Sequence, residues 1–344
     1  MGGNALQRVW LKRMTPDIYF KLKKYILTIM KESNIECDVP RELPNKDSFG
    51  DIDIIYYTKD IIDIRQFIEH NFKPSEMVKN GDVISFDMNV EGMNEFKNFQ
   101  IDFIKVHPDS FNFAQFYFSY GDLGSIIGRI SNAFGIKFGI DGVWVNIEPI
   151  SGSFEHTVIS DKIMLTNNPR EFCKFFDLNY DRWDEGFSNI TDIFKWIVKT
   201  NYFNKDIFMI LNHAHRVRME KRKMYQEFLK YIGVDFWKIT NADAKHSEII
   251  HGIQSLAIDY FNKNDVISEL KMKKLEIKER NRKFNGNKFI KNGITGKEIG
   301  IMITKIQNYI EGMNKETTFE QWITNTSEED IDKFIEIFCK THSK

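Results

Sequence analysis

The segment Phe49-Gly50-Asp51-Ile52-Asp53-Ile54 is where residue types and spacing first suggest chemistry. On a β-strand, residues i and i+2 share a face. Asp51 and Asp53 therefore place two carboxylates side by side, about 7 Å apart along the strand, while Ile52 and Ile54 turn to the packed side. Bare carboxylates at that separation repel and raise each other's pKa unless a cation lies between them. Gly50, just before them, lets a ligand approach the backbone. Asp102, in the apolar run Phe99-Gln-Ile-Asp-Phe-Ile-Lys105, supplies a third carboxylate on a strand two elements later. Such a set is a hard-oxygen cage for Mg²⁺ or Mn²⁺, able to hold two ions in phosphoryl or nucleotidyl transfer. An isolated Asp-x-Asp is more often an ordinary solvent-facing pair. The preceding glycine, the order of the following elements and the lone Asp102 favour the metal site.

The elements that must position these residues are legible as patterns. Thr15-Pro16-Asp17 is a helix start, and Ile18, Leu22, Tyr25, Ile26 and Ile29 continue at helical spacing over 15–33. A connector with Pro40 and Pro44 leads to a strand over 51–57, then a helix over 60–72. Strands over 82–90 and 98–106 form a hairpin around a loop with Gly92, and a helix over 122–134 leads to a second hairpin, 136–140 with 143–147, turned at Asp141-Gly142. The aromatic run 111–120 suits core packing better than base stacking. Beyond about residue 150 strand signals fade, and helices are expected at 169–177, 190–200, 205–232, 244–280, 296–312 and 318–342, the last begun by Thr326-Ser327 before Glu-Glu-Asp. The expected class is α+β: a helical segment over 1–34, a catalytic head with a mixed or antiparallel sheet over 35–150, and an all-helical body over 151–344.

Composition bounds the partners. The 344 residues suit two domains, and 42% hydrophobic with 28% charged residues is ordinary globular chemistry. Forty-eight Lys and Arg against 49 Asp and Glu leave a net charge of −1, which excludes a uniformly basic nucleic-acid coat but not a local basic groove. Cys37, Cys173 and Cys339 can make neither a disulfide framework nor a four-thiolate zinc site, so a reducing, cytoplasmic setting is expected. The N-terminal residues lack a myristoylation serine and a signal-peptide core, and no apolar run approaches a membrane span. The bias towards Ile, Lys, Asn and Phe suggests an AT-rich source such as a virus or low-GC microbe.

With Gly50-Asp51-Ile52-Asp53, Asp102 and the strand–helix–hairpin order in place, residues 35–150 resemble the DNA polymerase beta-like nucleotidyltransferase superfamily. That group includes poly(A) polymerases, CCA-adding tRNA nucleotidyltransferases and small antibiotic-modifying transferases. The resemblance implies that Asp51 and Asp53 bind both metals and that Asp102 binds the one activating the acceptor hydroxyl. It also implies an NTP substrate, ATP included. The family places a Gly-Ser pair about ten residues upstream of the aspartates to cradle the triphosphate. Here the window 37–46 has none, and Lys46 and Ser48 would substitute beside Gly50. A Leu123-Gly124-Ser125 follows the aspartates instead. The stretch from Phe284 to Gly300, with glycines at 286, 293 and 296 before a helix, is similar to a turn-then-helix element of the RNA-end-modifying members.

Two basic segments bear on the acceptor. Residues 216–223 carry five basic side chains (Arg216, Arg218, Lys221, Arg222, Lys223) against one acid, and residues 271–291, with Lys288, carry nine against two. Such local surplus suits phosphate-backbone contacts. His213-x-His215 is expected to be structural or surface-exposed. Walker, Gly-x-Ser-x-Gly, His-Glu-x-x-His and EF-hand motifs are absent. The expected function is metal-dependent transfer of NMP from an NTP to a hydroxyl, an RNA 3′ end (tRNA included) first among acceptors, releasing pyrophosphate. Transfer to a protein or small molecule, and an inactive fold that binds RNA or protein, are the alternatives. Oligomeric state is left open.

Overall fold

The computed structural model describes residues 5–59, 62–146, 162–209, 213–236, 247–313 and 316–342, with the side chains of 213–215 and 247–251 outside that set. The expected first helix is present as α1, Pro16–Glu32, with Pro16 in its first turn and Tyr19, Leu22, Ile26 and Met30 buried along one side. After it come β1 (Glu36–Asp38), β2 (Asp51–Tyr57), α2 (Ile64–Phe72), β3 (Met77–Asn80), β4 (Val83–Asp87) and β5 (Gln100–Lys105). They form a five-stranded sheet in the order β1-β2-β5-β4-β3. β2 runs parallel to β5, and the other neighbours are antiparallel. Parallel neighbours need a crossover, which α2 and the β3–β4 hairpin provide. β1 and β3 were not anticipated: both are short edge strands with little buried apolar pattern.

The period-2 alternation of β2 divides its faces. Ile52 and Ile54 join Ile101, Phe103 and Phe86 in a core closed by Leu22, Ile26 and Met30 of α1 and by Ile68 and Phe72 of α2. The opposite face is covered by a second apolar group, Ile55, Ile104, Val106 and Ala114. Ala114 belongs to α3, Phe111–Phe118. That cover reaches Ile55 and Ile104 and stops short of the preceding residues on the same face, Asp53 and Asp102. The aromatic run at 111–120 packs inward, with Phe113, Ala114, Phe116 and Tyr120 all buried.

α4 (Leu123–Ala133) leads to a hairpin of β6 (Ile136–Gly139) and β7 (Gly142–Asn146). Gly139 pairs with Gly142, so the two turn residues are Ile140 and Asp141, one position earlier than expected. Gly142 has φ +136°, and a Cβ there would lie 2.5 Å from the Thr166 carbonyl oxygen. A third strand, β8 (Lys162–Thr166), joins this small sheet in the order β6-β7-β8. It corrects the expectation that everything after 150 is helical. Its five residues carry only two buried apolar positions, Ile163 and Leu165.

Helices follow: α5 (Pro169–Phe175), α6 (Tyr180–Glu185), α7 (Ile190–Ile197), α8 (His213–Glu220), α9 (Lys223–Tyr231) and α10 (Ser247–Tyr260). Of the helix expected over 205–232, Lys205–Met209 is a 3-10 turn, 210–212 lie outside the described residues, and α8 and α9 are separated at Arg222, which is extended and occupies the N-cap position of α9. The one expected over 244–280 ends at Tyr260, and Asn262 takes φ +54° before α11 (Asn264–Lys283). Then come α12 (Gly286–Ile290), α13 (Lys297–Met313), α14 (Phe319–Asn325) and α15 (Glu328–His342). Ser327 starts α15 as anticipated, its hydroxyl accepting from the Asp330 amide and donating to the Asp330 carboxylate. Gly293 and Gly296 adopt positive φ in the turn before α13, whereas Gly300 meets no neighbour and serves no close packing.

The chain forms two compact units, Met1–Val145 with Met164–Phe261, and Asn146–Ile163 with Asn262–Lys344. The second is built on Phe284, Phe289, Ile306, Phe319, Ile335 and Phe338. In the first, Phe103 is fully buried and packs edge-on against Phe86 and Phe72, with ring centroids 5.0 and 5.8 Å apart. Phe103→Ala is expected to cost about 3–5 kcal/mol, read as a lower urea midpoint with little change in slope. A loss under about 1 kcal/mol would show that this core does not hold the strand carrying Asp102.

Candidate metal and phosphate site

Strand register brings the acids together. Asp53 lies opposite Asp102 across the parallel pair β2–β5, and Asp51 lies opposite Gln100. One carboxylate oxygen from each of Asp51, Asp53 and Asp102 lies within 4.8 Å of the others. The three acids singled out by sequence are thus one cluster. Asp102 is buried, 8% exposed. Gln100 Nε2 donates to both of its oxygens, at 3.0 and 2.9 Å. Gln100 Oε1 accepts from the Ala5 backbone amide at 2.8 Å, tying the N-terminal segment to the cluster. Gln100 was not anticipated, although its i−2 position on the same strand places it on the face of Asp102.

Burial, together with repulsion from Asp51, pushes the Asp102 carboxyl up to about 6, against hydrogen bonds from Ser85 and Gln100 that lower it. Asp53 is raised well above the usual carboxylate range by burial, then by Asp51, Asp102 and Glu42, with Lys46 opposing. Tyr19 is also held protonated, first by burial and then by Glu42, Asp53 and Asp51. Its ring stacks on Phe49 at 3.7 Å between centroids, bracing the strand entry.

Asp51 and Asp53 open into a cavity of about 410 Å³ whose walls include Arg13, Tyr19, Glu42, Lys46, Gly50, Asp122, Lys221 and Lys223. Lys46 pairs with Glu42 at 2.8 Å and lies 4.6 Å over the Phe49 ring. Gly50 lines the cavity as expected. Ser48 is not among the lining residues. Its hydroxyl accepts from Arg13 Nε at 2.9 Å, and Arg13, which sequence did not single out, lines the cavity. Arg13 gave no motif: it lies 35 residues upstream of Ser48 and reaches it only in the fold.

The basic residues separate into different surroundings. Lys221 and Lys223 line the carboxylate cavity, and Arg218 lines a neighbouring one. Arg222 donates through Nη1 to Asp122 Oδ1 and Ser125 Oγ, each at 2.8 Å. Its charge is thus spent on a structural bridge. Arg216 is partly buried in α8. Lys288 corrects the expectation of a nucleic-acid contact: it is 9% exposed and its ammonium is held by Glu328 at 3.0 Å and Asp332 at 2.5 Å. The His213 and His215 side chains lie outside the described residues.

The donor set suits a hard divalent cation: carboxylate oxygens only, close enough for one or two ions to bridge, and destabilised by mutual repulsion when bare. Cys37, Cys173 and Cys339 are free thiols. Among the described residues no helix is long and apolar enough to cross a membrane. Neither a protein-family model nor a curated protein sequence matches the chain.

A folded-state pKa raised above its unfolded value means that the native protein binds the extra proton. Stability of the metal-free protein is then expected to fall as pH rises from about 4 through 6. Asp102 contributes on the order of 3 kcal/mol to that fall. Asp102→Asn should flatten the slope, and Mg²⁺ or Mn²⁺ should restore stability at pH 7 with affinity that weakens below about pH 6. Urea titrations across pH test this, and parallel slopes in wild type and variant would refute it.

Proposed function

We propose that the chain is a metal-dependent nucleotidyltransferase of the polymerase beta-like kind, transferring NMP from an NTP to a hydroxyl, with an RNA 3′ end as acceptor. The observation that carries this reading is the convergence of Asp51, Asp53 and Asp102 on a parallel strand pair beside a lysine-lined cavity. Asp51 and Asp53 would hold both Mg²⁺ ions, and Asp102 the one beside the acceptor hydroxyl. When bound, the ions supply Lewis acidity and charge neutralisation at the α-phosphate.

The chain's own residues account for the rest. Gln100 fixes both oxygens of Asp102, so this acid meets the acceptor in one orientation. Lys46, Lys221, Lys223 and Arg13 face the cavity and would balance the triphosphate, the work a Gly-Ser turn does elsewhere in the superfamily. The acceptor oxygen attacks the α-phosphorus, the bond from it to the α–β bridging oxygen breaks, pyrophosphate leaves with that oxygen, and the hydroxyl proton passes to solvent water. Rate then comes from positioning and electrostatics more than from a protein base. The free thiols fit a reducing cytoplasm.

The test is incubation with Mg²⁺ or Mn²⁺, each labelled NTP, and separate RNA, tRNA, DNA and protein acceptors. Label is expected on RNA, lost by at least about 10³-fold in Asp51→Ala and Asp53→Ala. Lys221→Ala with Lys223→Ala should raise KM for NTP more than it lowers kcat. Label on protein would move the acceptor class. No label on any acceptor, with metal-independent RNA binding, would leave a binding module instead.

A further inference from the structure

Residues 5–14, ahead of α1, belong to no helix or named strand, yet their backbone is tied down along its length. The Ala5 amide donates to Gln100 Oε1 at 2.8 Å, and the amides of Gln7, Arg8 and Val9 converge on the Glu76 carboxylate at 3.2, 2.7 and 3.3 Å. The Lys12 amide donates to the Asn98 carbonyl at 2.8 Å, and Met14 exchanges two backbone bonds with Phe49, at 2.7 and 2.9 Å. Leu6 and Met14 are buried, and Val9 and Leu11 are half-buried. An arm held at so many points presents its outward side chains already ordered, which lowers the entropic cost of binding to them.

Both ends of this arm reach the carboxylate site. Ala5 meets it through Gln100, whose Nε2 holds both oxygens of Asp102, and Arg13 lines the cavity. Between them Trp10 is 84% exposed, more than any other large apolar side chain among the described residues. Single exposed apolar residues are common, but tryptophan is highly buried on average. A fixed backbone that turns one into water therefore points to a partner. Arg8 and Lys12 flank Trp10, both exposed, and no acidic residue lies between Ala5 and Met14. An aromatic face between cations matches a single strand of bases and phosphates, the ring stacking a base and the cations meeting the backbone. From Trp10 to Arg13 is at most about 11 Å of chain, or about three nucleotides at the rise of about 3.4 Å in a stacked strand.

We infer that the arm over residues 8–13 docks the single-stranded RNA that ends in the acceptor hydroxyl, with Trp10 stacking a base near the 3′ end and Arg8 and Lys12 meeting the flanking phosphates. This rests on the nucleotidyltransferase reading for the direction of the strand, whereas the contact itself rests on the anchored arm, its exposed ring and its charge.

The test is fluorescence anisotropy of a 5′-fluorescein-labelled single-stranded RNA 12-mer with the full chain in EDTA, without NTP, at several salt concentrations. Trp10→Ala is expected to weaken binding about tenfold or more, the effect of losing one base–aromatic stack. Trp10→Phe keeps an aromatic face and should retain most of the affinity, and both variants should keep the wild-type melting temperature because the side chain is exposed. Lys12→Ala should lower the slope of log Kd against log salt by about 0.7, the share of one phosphate on a single strand. Affinity unchanged in Trp10→Ala, or a salt slope unchanged in Lys12→Ala, would overturn the dock. Trp10-dependent binding to phosphatidylserine vesicles without RNA binding would overturn it in favour of a membrane contact. Nucleotide label on RNA with binding indifferent to Trp10→Ala would overturn the dock and keep the transferase. Trp10-dependent RNA binding with no label would keep the dock and count against the transferase.

Discussion

Three carboxylates held within a few ångströms of one another, partly out of water, are an unfavourable arrangement that the rest of the first unit must sustain. Asp53 and Asp102 are both driven towards protonation by burial and by their neighbours. Arrangements of that kind persist where surrounding packing over-determines them. Here the enforcing structure is the parallel pair β2–β5. Its far face carries Ile52, Ile54, Ile101 and Phe103, which cannot leave the core without exposing it. Because the side-chain period is two, burying those residues forces Asp51, Asp53 and Asp102 onto the other face.

The polar surroundings soften the arrangement without dissolving it. Gln100 donates to both oxygens of Asp102, and Lys46 opposes the rise at Asp53. Neither neutralises the cluster, and its three carboxylates remain close enough together to bind a metal ion. The same economy holds in the wall beyond it. Arg222 is committed to Asp122 and Ser125, which fixes α9 against α4 and leaves Lys221 and Lys223 facing the cavity. A mixed run of basic residues thereby acquires distinct surroundings, one bridging two elements of the fold and two lining the cavity.

Much of this was legible in one dimension because its causes are local. The start of α1 follows from Thr15-Pro16, the faces of β2 from alternation, and the β4–β5 and β6–β7 hairpins from turn residues. The short strands β1, β3 and β8 were not legible, since three to five residues with few buried positions carry too little periodicity. Helix breaks at Arg222 and Asn262 were hidden for the opposite reason. The polar and apolar pattern runs through them, while Arg222 takes an extended backbone with its side chain bridged to Asp122 and Asn262 takes a left-handed one.

The sequence by itself determined which acids could act and why they must share a face, since strand periodicity is a property of the backbone. Only the tertiary structure decided that Asp102 lies opposite Asp53, because the register of a parallel pair is set by packing across the sheet. It also decided which cationic side chains line the carboxylate cavity. Lys288 and Lys221 look alike in a basic run, yet one is buried between two carboxylates and the other faces the cavity. Charge is written in the chain, but its availability depends on which counter-charges the fold brings within reach.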